Sequence, residues 1–411
     1  MGGHRTRRVL AAAAAGTALA ACGSPGSSGA APGPGTPTTT AAPPSAAALP
    51  TFSGGAPEDC LNATDIANWP VERRSATVVA MPLDGFDFDT ITAELAAGAS
   101  GVLLLGTGAP PADLAARIHT AAAAAGGPAP PLVMADEEGG GVQRLLGAVP
   151  DLPWPRDLAR TADDEQIEQQ AATLGRAMAA LGVNVALAPV LDVDARPGPS
   201  DANPDGKRSF SGDPTVVSRD GVAFMQGLRE GGVLPVVKHF PGLGGSTGNT
   251  DVRPAATKPI AQLRTDDLGP FRAAITAGAP AVMISNATVP GLSTHPASLS
   301  SAVVGGLLRG QLGFTGLVVT DSLSAGAVTA ATSSLGEAAA DAIESGADLV
   351  LFGSTRTAAD VAALSKDRLS ASFQQIVAAL RTALDSGALT DARIDAAVTA
   401  VLRARGVSIC G

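Results

Sequence analysis

The 411-residue sequence contains no tyrosine, few other aromatic residues, four histidines and three cysteines. Because aromatic residues make up only 3% of the chain, a ligand site has to rely mainly on charged and amide side chains. The low histidine content and the lack of an HExxH motif or a Cys-His cluster argue against a metal site, and we expect no cofactor. The glycine-rich stretch 242–248 lacks the Lys-Ser/Thr ending of a phosphate-binding loop.

Positive charge is also scarce. The formal net charge is −10 at pH 7, and no basic patch follows the N-terminus, so we expect no binding to nucleic acid. The hydrophobic fraction of 45% is typical of a globular chain. The length allows one large domain or two small ones. No segment stands out as an interaction surface, and we expect a monomer.

Residues 1–21 are typical of an export signal. Three arginines precede an apolar stretch, 9–18, that is too short to span a bilayer. The stretch ends in Leu-Ala-Ala-Cys, so Cys22 resembles the lipidated cysteine of a bacterial lipoprotein. An ordinary cleavable signal with an incidental cysteine is the alternative. We predict a protein exported and anchored to the outer face of the cell membrane by a lipid on Cys22.

Residues 22–57 consist almost entirely of Gly, Ser, Pro, Ala and Thr, which predicts a disordered tether. The folded domain is predicted to occupy 58–411. Its two cysteines, Cys60 and Cys410, lie near its two ends. In an oxidising compartment they could form a disulfide, and two free thiols are the alternative.

Eight short apolar runs alternate with amphipathic helical segments after the tether. The runs are continuous rather than alternating in hydrophobicity, which indicates a parallel sheet covered on both faces. We predict a (β/α)8 TIM-type barrel in a single domain, with a doubly wound open sheet as the competitor. The predicted strands are 76–81, 102–105, 132–135, 183–190, 234–237, 281–285, 317–320 and 349–352.

Polar residues cluster at the predicted C-terminal ends of these strands. Parallel strands of a barrel bring these ends together, so we expect a functional mouth there. Charged and amide groups of this kind suit a neutral polyhydroxylated ligand. The segments are Asp136-Glu137-Glu138 after the third run, Asp192 and Asp194 after the fourth, Lys238-His239 after the fifth, Ser285-Asn286 after the sixth and Asp321-Ser322 after the seventh.

Four blocks of sequence resemble the signatures of family 3 glycoside hydrolases. They are Asp-Glu-Glu-Gly-Gly at 136–140, Arg-Ser-Phe at 208–210, Lys-His-Phe-Pro-Gly at 238–242 and Val-Val-Thr-Asp-Ser-Leu at 318–323. The chain is most similar to the single-domain β-N-acetylhexosaminidases of bacterial cell-wall recycling. The resemblance runs from about residue 76 to the C-terminus. It implies a retaining hydrolase of β-linked N-acetylhexosamine glycosides that takes part in peptidoglycan turnover.

The resemblance also implies roles for individual residues. Asp321 matches the nucleophile that forms a glycosyl-enzyme intermediate. Nearby cations are expected to keep this carboxylate ionised. The residues that match the sugar-holding groups are Asp136, Arg144, Arg208, Lys238 and His239.

Three parts of the sequence depart from the family pattern. The catalytic loop of the hexosaminidases ends in Asp-Ser-His, where this chain has Asn249-Thr250-Asp251. Gly141 replaces a usual Arg, and Asn286 replaces a usual His.

Three hypotheses follow from these departures. In the first, Asp251 is the acid/base and lies about 5–6 Å from Asp321 once a mobile loop closes. In the second, the nucleophile works with little acid assistance. In the third, the protein is a non-catalytic cell-surface binder of amino-sugar glycans that has lost turnover.

Overall fold

The computed structural model describes residues 60–106, 108–125, 127 and 129–410. The predicted signal peptide, the tether and Cys22 lie outside these residues. Within them, no helix combines the length and the apolar composition that crossing a bilayer requires.

Short helices and strands alternate along the described part of the chain. A π-helix spans Ala302–Gln311, and 3₁₀ turns lie at Phe88–Thr90, Gly206–Arg208 and Ala297–Leu299. The α-helices are α1 Ala63–Ala67, α2 Val71–Thr77, α3 Thr92–Ala96, α4 Leu114–Ala124, α5 Pro155–Thr161, α6 Asp164–Ala180, α7 Pro214–Glu230, α8 Ile260–Thr265, α9 Leu268–Thr276, α10 Gly326–Thr329, α11 Leu335–Ser345, α12 Ala358–Ala363, α13 Lys366–Ser386 and α14 Asp391–Ala404.

A seven-stranded parallel sheet forms the centre of the fold, and two antiparallel hairpins, β4–β5 and β9–β10, lie outside it. The order in the sheet is β1-β2-β3-β6-β7-β8-β11. Every residue of these seven strands is buried, as continuous apolar runs predict. The strands are β1 Ala80–Leu83, β2 Gly101–Leu104, β3 Leu132–Ala135, β4 Glu137–Gly139, β5 Val142–Gln143, β6 Val185–Ala186, β7 Leu234–Phe240, β8 Ala281–Ile284, β9 Thr288–Val289, β10 Ser293–Pro296 and β11 Leu317–Thr320.

The α/β class is therefore confirmed. The first strand begins later than predicted, at Ala80, because the preceding residues belong to α2. The eighth predicted run forms no strand of its own. It makes single parallel bridges instead, from Leu349 to Val319 of β11 and from Val350 to Val79 beside β1.

Two details of the helices follow from local contacts and backbone conformation. The segment after β7 forms two helices, α8 and α9, separated at Asp266 and Asp267. The buried carboxylate of Asp267 accepts hydrogen bonds from Lys258, which fixes this break. The left-handed residue that follows α7 is Gly232, at φ +88°, whereas Gly231 remains right-handed.

The two ends of the domain are joined. Cys60 and Cys410 form a disulfide with their Cα atoms 5.3 Å apart. Beside it, Leu61 forms a parallel bridge with Ile409, and the Leu61 N–H donates to the carbonyl of Ser408. The chain therefore returns to its starting point on the side where α1 and α14 pack together.

Candidate active site

A cavity of about 420 Å³ opens at the C-terminal ends of the strands. Its volume lies within the range of about 300–1,000 Å³ that is common for small-molecule sites. All seven residues predicted to bind or transform the sugar contribute to its wall. They are Asp136, Arg144, Arg208, Lys238, His239, Asp251 and Asp321.

A buried ion cluster forms the floor of this cavity. The ammonium group of Lys238, which is 1% exposed, lies 2.6 Å from Asp136 Oδ1 and 2.6 Å from Glu138 Oε1. Arg208 donates two hydrogen bonds to the Glu138 carboxylate, from Nε at 2.7 Å and from Nη2 at 2.8 Å. Such a two-pronged contact fixes the guanidinium geometrically as well as electrostatically. Lys238 and Arg208 are therefore already engaged by carboxylates before any ligand binds.

Mutual pairing keeps the members of this cluster charged. Burial alone would raise the pKa of Glu138, but Arg208 and Lys238 outweigh it and hold that pKa well below its usual range. In the same way, burial is outweighed at Asp136 by Lys238 and Arg144, and its pKa is lowered. Burial would lower the pKa of Lys238, yet its two carboxylate partners raise it. The cavity floor therefore offers fixed charges rather than titrating groups.

Arg144 is carried by the β4–β5 hairpin, which a buried carboxylate organises. Glu137 Oε1 accepts hydrogen bonds from the backbone N–H groups of Arg144 and Leu145, at 2.8 and 2.7 Å. Its second oxygen accepts from Gln143 at 3.0 Å. The Arg144 side chain is 34% exposed, and its Nε lies 3.6 Å from Asp136 Oδ2. Glu137 thus positions Arg144 toward the cavity, although Glu137 itself does not line the cavity.

His239 is held as a neutral imidazole. Burial, together with the positive charges of Arg208 and Lys238, lowers its pKa to about 4. Its Nδ1 lies 2.7 Å from Asp192 Oδ2, and its Nε2 lies 3.4 Å from Arg208 Nη2. The neutral ring therefore donates from Nδ1 to Asp192 and presents Nε2 as an acceptor beside Arg208. Asp192 also accepts from the backbone N–H groups of His239 and Leu243.

Asp321 follows β11 directly, and its own N–H donates to the carbonyl of Ile284 at 2.9 Å. The N–H of Ser322 donates to Asp321 Oδ1 at 2.7 Å. Among the described residues, no Lys or Arg side chain forms an ion pair with Asp321. Burial raises the pKa of Asp321 and the charge of Asp251 raises it further, whereas His239 and Lys238 act in the opposite sense. The neighbouring cation thus favours the ionised form, but it does not offset burial, because Lys238 is paired with Asp136 and Glu138.

Asp251 lies at the rim of the cavity with 42% of its side chain exposed. Its withdrawal into the cavity wall raises its pKa, while Arg356 and Arg208 act in the opposite sense. The Arg356 guanidinium lies 3.8 Å from Asp251 Oδ2 and 2.7 Å from Asp201 Oδ1. Arg356 thus connects two carboxylates across the rim.

The loop that carries Asp251 is fixed by its backbone. The N–H groups of Gly326 and Ala327, at the start of α10, donate to the carbonyls of Asp251 and Thr250 at 3.0 and 2.9 Å. Asn249 Oδ1 accepts from the N–H of Asp251 at 2.9 Å. Asn249 therefore caps the loop internally, in the position where the sequence pattern led us to expect a mobile segment.

Three residues that shape the site had no individual role assigned from the sequence, although two of them lie in the polar segments predicted to form the mouth. They are Glu138, which neutralises two cations, Asp192, which orients His239 from behind the cavity wall, and Arg356 at the rim. The role of Glu138 could have been predicted from the sequence. Glu138 lies two residues after Asp136, and alternate residues of an extended segment point to the same side. Arg356 comes from a loop without any motif.

One group in the described part of the chain has the residue types and spacing of a cation site. It consists of Asp192, Asp205 and His239, which are all buried and offer ligand atoms within 4.8 Å of one another.

The family assignment rests on a match over most of the folded part. A family model described as the glycosyl hydrolase family 3 N terminal domain matches residues 90–404. The chain belongs to glycoside hydrolase family 3.

Individual relatives agree with this assignment. The beta-hexosaminidase LpqI of Mycobacterium tuberculosis is 40% identical over 210 residues, which cover 50% of this chain and 53% of the relative. The chain thus spans about half the length of the curated relatives it matches. The solved structure of M. tuberculosis LpqI has a TM-score of 0.74 at 32% identity, covering 84% of this chain and 97% of that one. A β-N-acetylhexosaminidase structure from Beutenbergia cavernae has a TM-score of 0.71 at 36% identity, covering 83% and 100%.

Two departures from the family 3 pattern have a packing explanation. A side chain at Gly141 would start 2.8 Å from the indole ring of Trp154, so the ring fills the space that the usual arginine would need. Asn286 is fully buried and donates from Nδ2 to the carbonyl of Ser322 at 2.7 Å, while its Oδ1 accepts from Ser298. Asn286 therefore holds the backbone next to Asp321.

Proposed function

We propose that this family 3 protein is a retaining glycoside hydrolase, with Asp321 as the nucleophile and Asp251 as the acid/base. The observation that carries the proposal is that the carboxylates of the cavity differ in whether a cation is paired with them. Asp136 and Glu138 are neutralised by cations, whereas Asp321 has no cation partner and faces the cavity. An unpaired carboxylate keeps its electron pair available for attack on an anomeric carbon.

The electrostatics of Asp251 and Asp321 suit a two-carboxylate mechanism. Both line one cavity, and the charge of Asp251 raises the pKa of Asp321. Two carboxyls that interact in this way ionise in sequence, so that one can be protonated while the other is ionised. The first step requires Asp321 as the ionised group and Asp251 as the protonated one.

In that step, an Asp321 oxygen bonds to the anomeric carbon as the glycosidic C–O bond breaks. The bond's electron pair passes to the leaving oxygen, which takes the proton of Asp251. In the second step, the Asp251 carboxylate takes a proton from water, and the water oxygen displaces Asp321 from the anomeric carbon. Two displacements at one carbon give retention of configuration.

The cavity floor supplies the groups that hold the sugar. Asp136, Arg208 and Lys238 form a rigid set of donors and acceptors for hydroxyl and amide groups. Arg144 and neutral His239 complete this set from the two sides. We propose a β-linked N-acetylhexosamine as the sugar, derived from the cell wall, because the hexosaminidase names of the relatives point to that class.

Turnover of an aryl N-acetyl-β-glucosaminide tests this function. The wild type should release the phenol, and the first sugar product seen by NMR should be the β-anomer. Asp321→Asn should lose this turnover but retain N-acetylglucosamine binding. A wild type that binds the sugar but is as inert as Asp321→Asn would instead establish the binding protein that lacks turnover.

We further infer that the sheet closes into a (β/α)8 barrel through residues 349–352. The parallel bridges on both sides of this segment support closure, because they link β11 to the chain beside β1. Export, the lipid on Cys22 and the monomeric state remain proposals from the sequence. The mass of the mature N-terminus tests the first two, and light scattering of the purified domain tests the third.

A further inference from the structure

Asp205 is a buried carboxyl group that the mechanism above does not use. It directly precedes the Gly206–Arg208 turn and is fully buried. Neither of its carboxyl oxygens accepts a hydrogen bond from any donor in the described part of the chain. An ionised carboxylate without donors is strongly disfavoured in a protein interior. Some feature of its surroundings must therefore compensate for its burial.

No Lys or Arg in the described part of the chain forms an ion pair with Asp205. Asp192, Asp205 and His239 offer polar atoms within 4.8 Å of one another. Arg208 pairs with Glu138, and His239 is neutral. Arg156 interacts with the charge of Asp205 from a distance, but its guanidinium donates to the backbone carbonyls of Asp194 and Gly206. Asp192 and Asp205 are thus two carboxyl groups without an ion-paired cation, and a proton or a metal ion would balance them.

The contacts around Asp192 favour the proton. Its carboxylate already accepts from the backbone N–H groups of His239 and Leu243 and from His239 Nδ1. The remaining ring nitrogen of His239 faces the Arg208 guanidinium, which would repel a cation bound there. The residues that line the cavity include His239 but neither Asp192 nor Asp205, so the pair lies behind the wall of this cavity.

We propose that Asp205 is a neutral carboxylic acid that donates a hydrogen bond to the ionised Asp192, and that this acid pair fixes the tautomer and orientation of His239. The two groups have carboxyl oxygens within 4.8 Å of each other. Burial raises the pKa of Asp192 to about 7, and a side-chain hydrogen bond from Asp205 acts in the opposite sense. The arrangement matches two close carboxyl groups that share one proton because they do not both ionise. Asp205 is then a positioning residue that acts on the sugar site through Asp192 and His239.

The groups that face Asp205 determine its titration. Burial and the charges of Asp192 and Asp194 raise its pKa, whereas Arg208 and His239 act in the opposite sense. A carboxyl group with a raised folded-state pKa stabilises the fold fully below its unfolded pKa of about 3.9. That contribution is lost as the pH rises through the folded pKa.

Infrared spectroscopy in D₂O at neutral pH tests the proton directly. The wild type should show a carboxylic-acid C=O band that Asp205→Asn removes. The difference between proteins is needed because burial also raises the pKa of Glu137, of Asp192 and of Asp267, each to about 7. Asp220→Asn is the matched control, because Asp220 is equally buried but ion-paired with Arg219. This control should leave the band in place.

Two further measurements do not depend on the infrared assignment. The unfolding free energy of the wild type should fall relative to that of Asp205→Asn as the pH rises from acidic values. Zinc and manganese titrations should detect no site that depends on Asp205. An infrared band unaffected by Asp205→Asn, or stoichiometric metal binding lost in that variant, would overturn the proposal.

The kinetic consequence rests on the proposed function. Asp205→Ala removes the hydrogen-bond donor to Asp192, so it should raise KM more than it lowers kcat. Asp205→Asn retains an N–H donor, so its KM should lie closer to the wild-type value. Equal KM in both variants would contradict the positioning role. Failure of the wild type to turn over any glycoside would instead refute the proposed function and leave the infrared result standing.

Discussion

Replacing Asp251 by Ala should affect poor leaving groups far more than good ones. A general acid contributes about 10²–10⁴-fold, or about 3–5 kcal/mol, when the leaving oxygen needs a proton. The Asp251 side chain is 42% exposed, so water partly reaches the same place. We therefore expect a loss in kcat/KM of about 10²-fold for an unactivated disaccharide, the lower end of that range. For a nitrophenyl glycoside the loss should be less than about tenfold, since nitrophenolate leaves without a proton.

The assay compares both substrates in three proteins: wild type, Asp251→Ala and Asp201→Ala. Asp201 is the matched control because it also pairs with Arg356, at 2.7 Å, and is 71% exposed. Its replacement disturbs the rim without removing the proposed acid. Added azide should restore activity to Asp251→Ala on the nitrophenyl substrate and give a β-glycosyl azide. Azide should not increase the rate of hydrolysis by Asp201→Ala.

The same variant makes a prediction about pH. In the proposed mechanism, deprotonation of Asp251 causes the alkaline limb of the kcat/KM profile. Asp251→Ala should therefore abolish that limb on the nitrophenyl substrate, while the acid limb due to Asp321 remains. Equal losses of activity on both substrates, or an alkaline limb that persists unchanged, would refute the assignment of Asp251 as acid/base.

Three other changes test separate parts of the site and fold. Lys238→Met removes the ammonium group that Asp136 and Glu138 share, so Glu138 keeps only Arg208 and Asp136 only the longer Arg144 contact. The variant should cost about 3–5 kcal/mol of unfolding free energy, measured by urea titration, and unchanged stability would contradict the ion cluster. Arg356→Ala removes a charge that lowers the pKa of Asp251, so the alkaline limb of kcat/KM should move to higher pH; a fixed limb would exclude that coupling. Cys60→Ser opens a disulfide between residues 350 apart and should lower stability by about 2–4 kcal/mol without changing kcat. The wild type should lose as much in reductant, and insensitivity to reductant would argue against the disulfide.

The positions of the parallel strands were largely predictable from the sequence. Continuous apolar runs, such as those that became β3 and β11, require burial on both faces, and this is a local property of the chain. The convergence of Asp136, Lys238 and Asp321 on one cavity follows from the parallel order of the strands that precede them. The hydrophobic pattern and the parallel order of the strands were therefore enough to predict where these residues lie in the fold.

The pairing of charges was not predictable in the same way. That Lys238 is engaged by both Asp136 and Glu138 depends on distances between separate strands and loops, which no local pattern contains. This pairing leaves Asp321 without a cation and so determines its electrostatic state. The fixed backbone of the loop at Asp251 likewise depends on hydrogen bonds to α10, which lies far along the chain. Motifs identified the residues, and their ionisation states came only from the tertiary structure.

The most direct test of the account is the mass of the protein during turnover of a slow fluorinated N-acetylglucosaminyl substrate. We predict an added mass of one glycosyl residue, and peptide mapping should locate it on Asp321. The adduct should be absent from Asp321→Asn and should accumulate to a greater extent in Asp251→Ala, where the second step lacks its base. Turnover by the wild type with no adduct, or with an adduct on another residue, would contradict the assignment of Asp321 as the nucleophile.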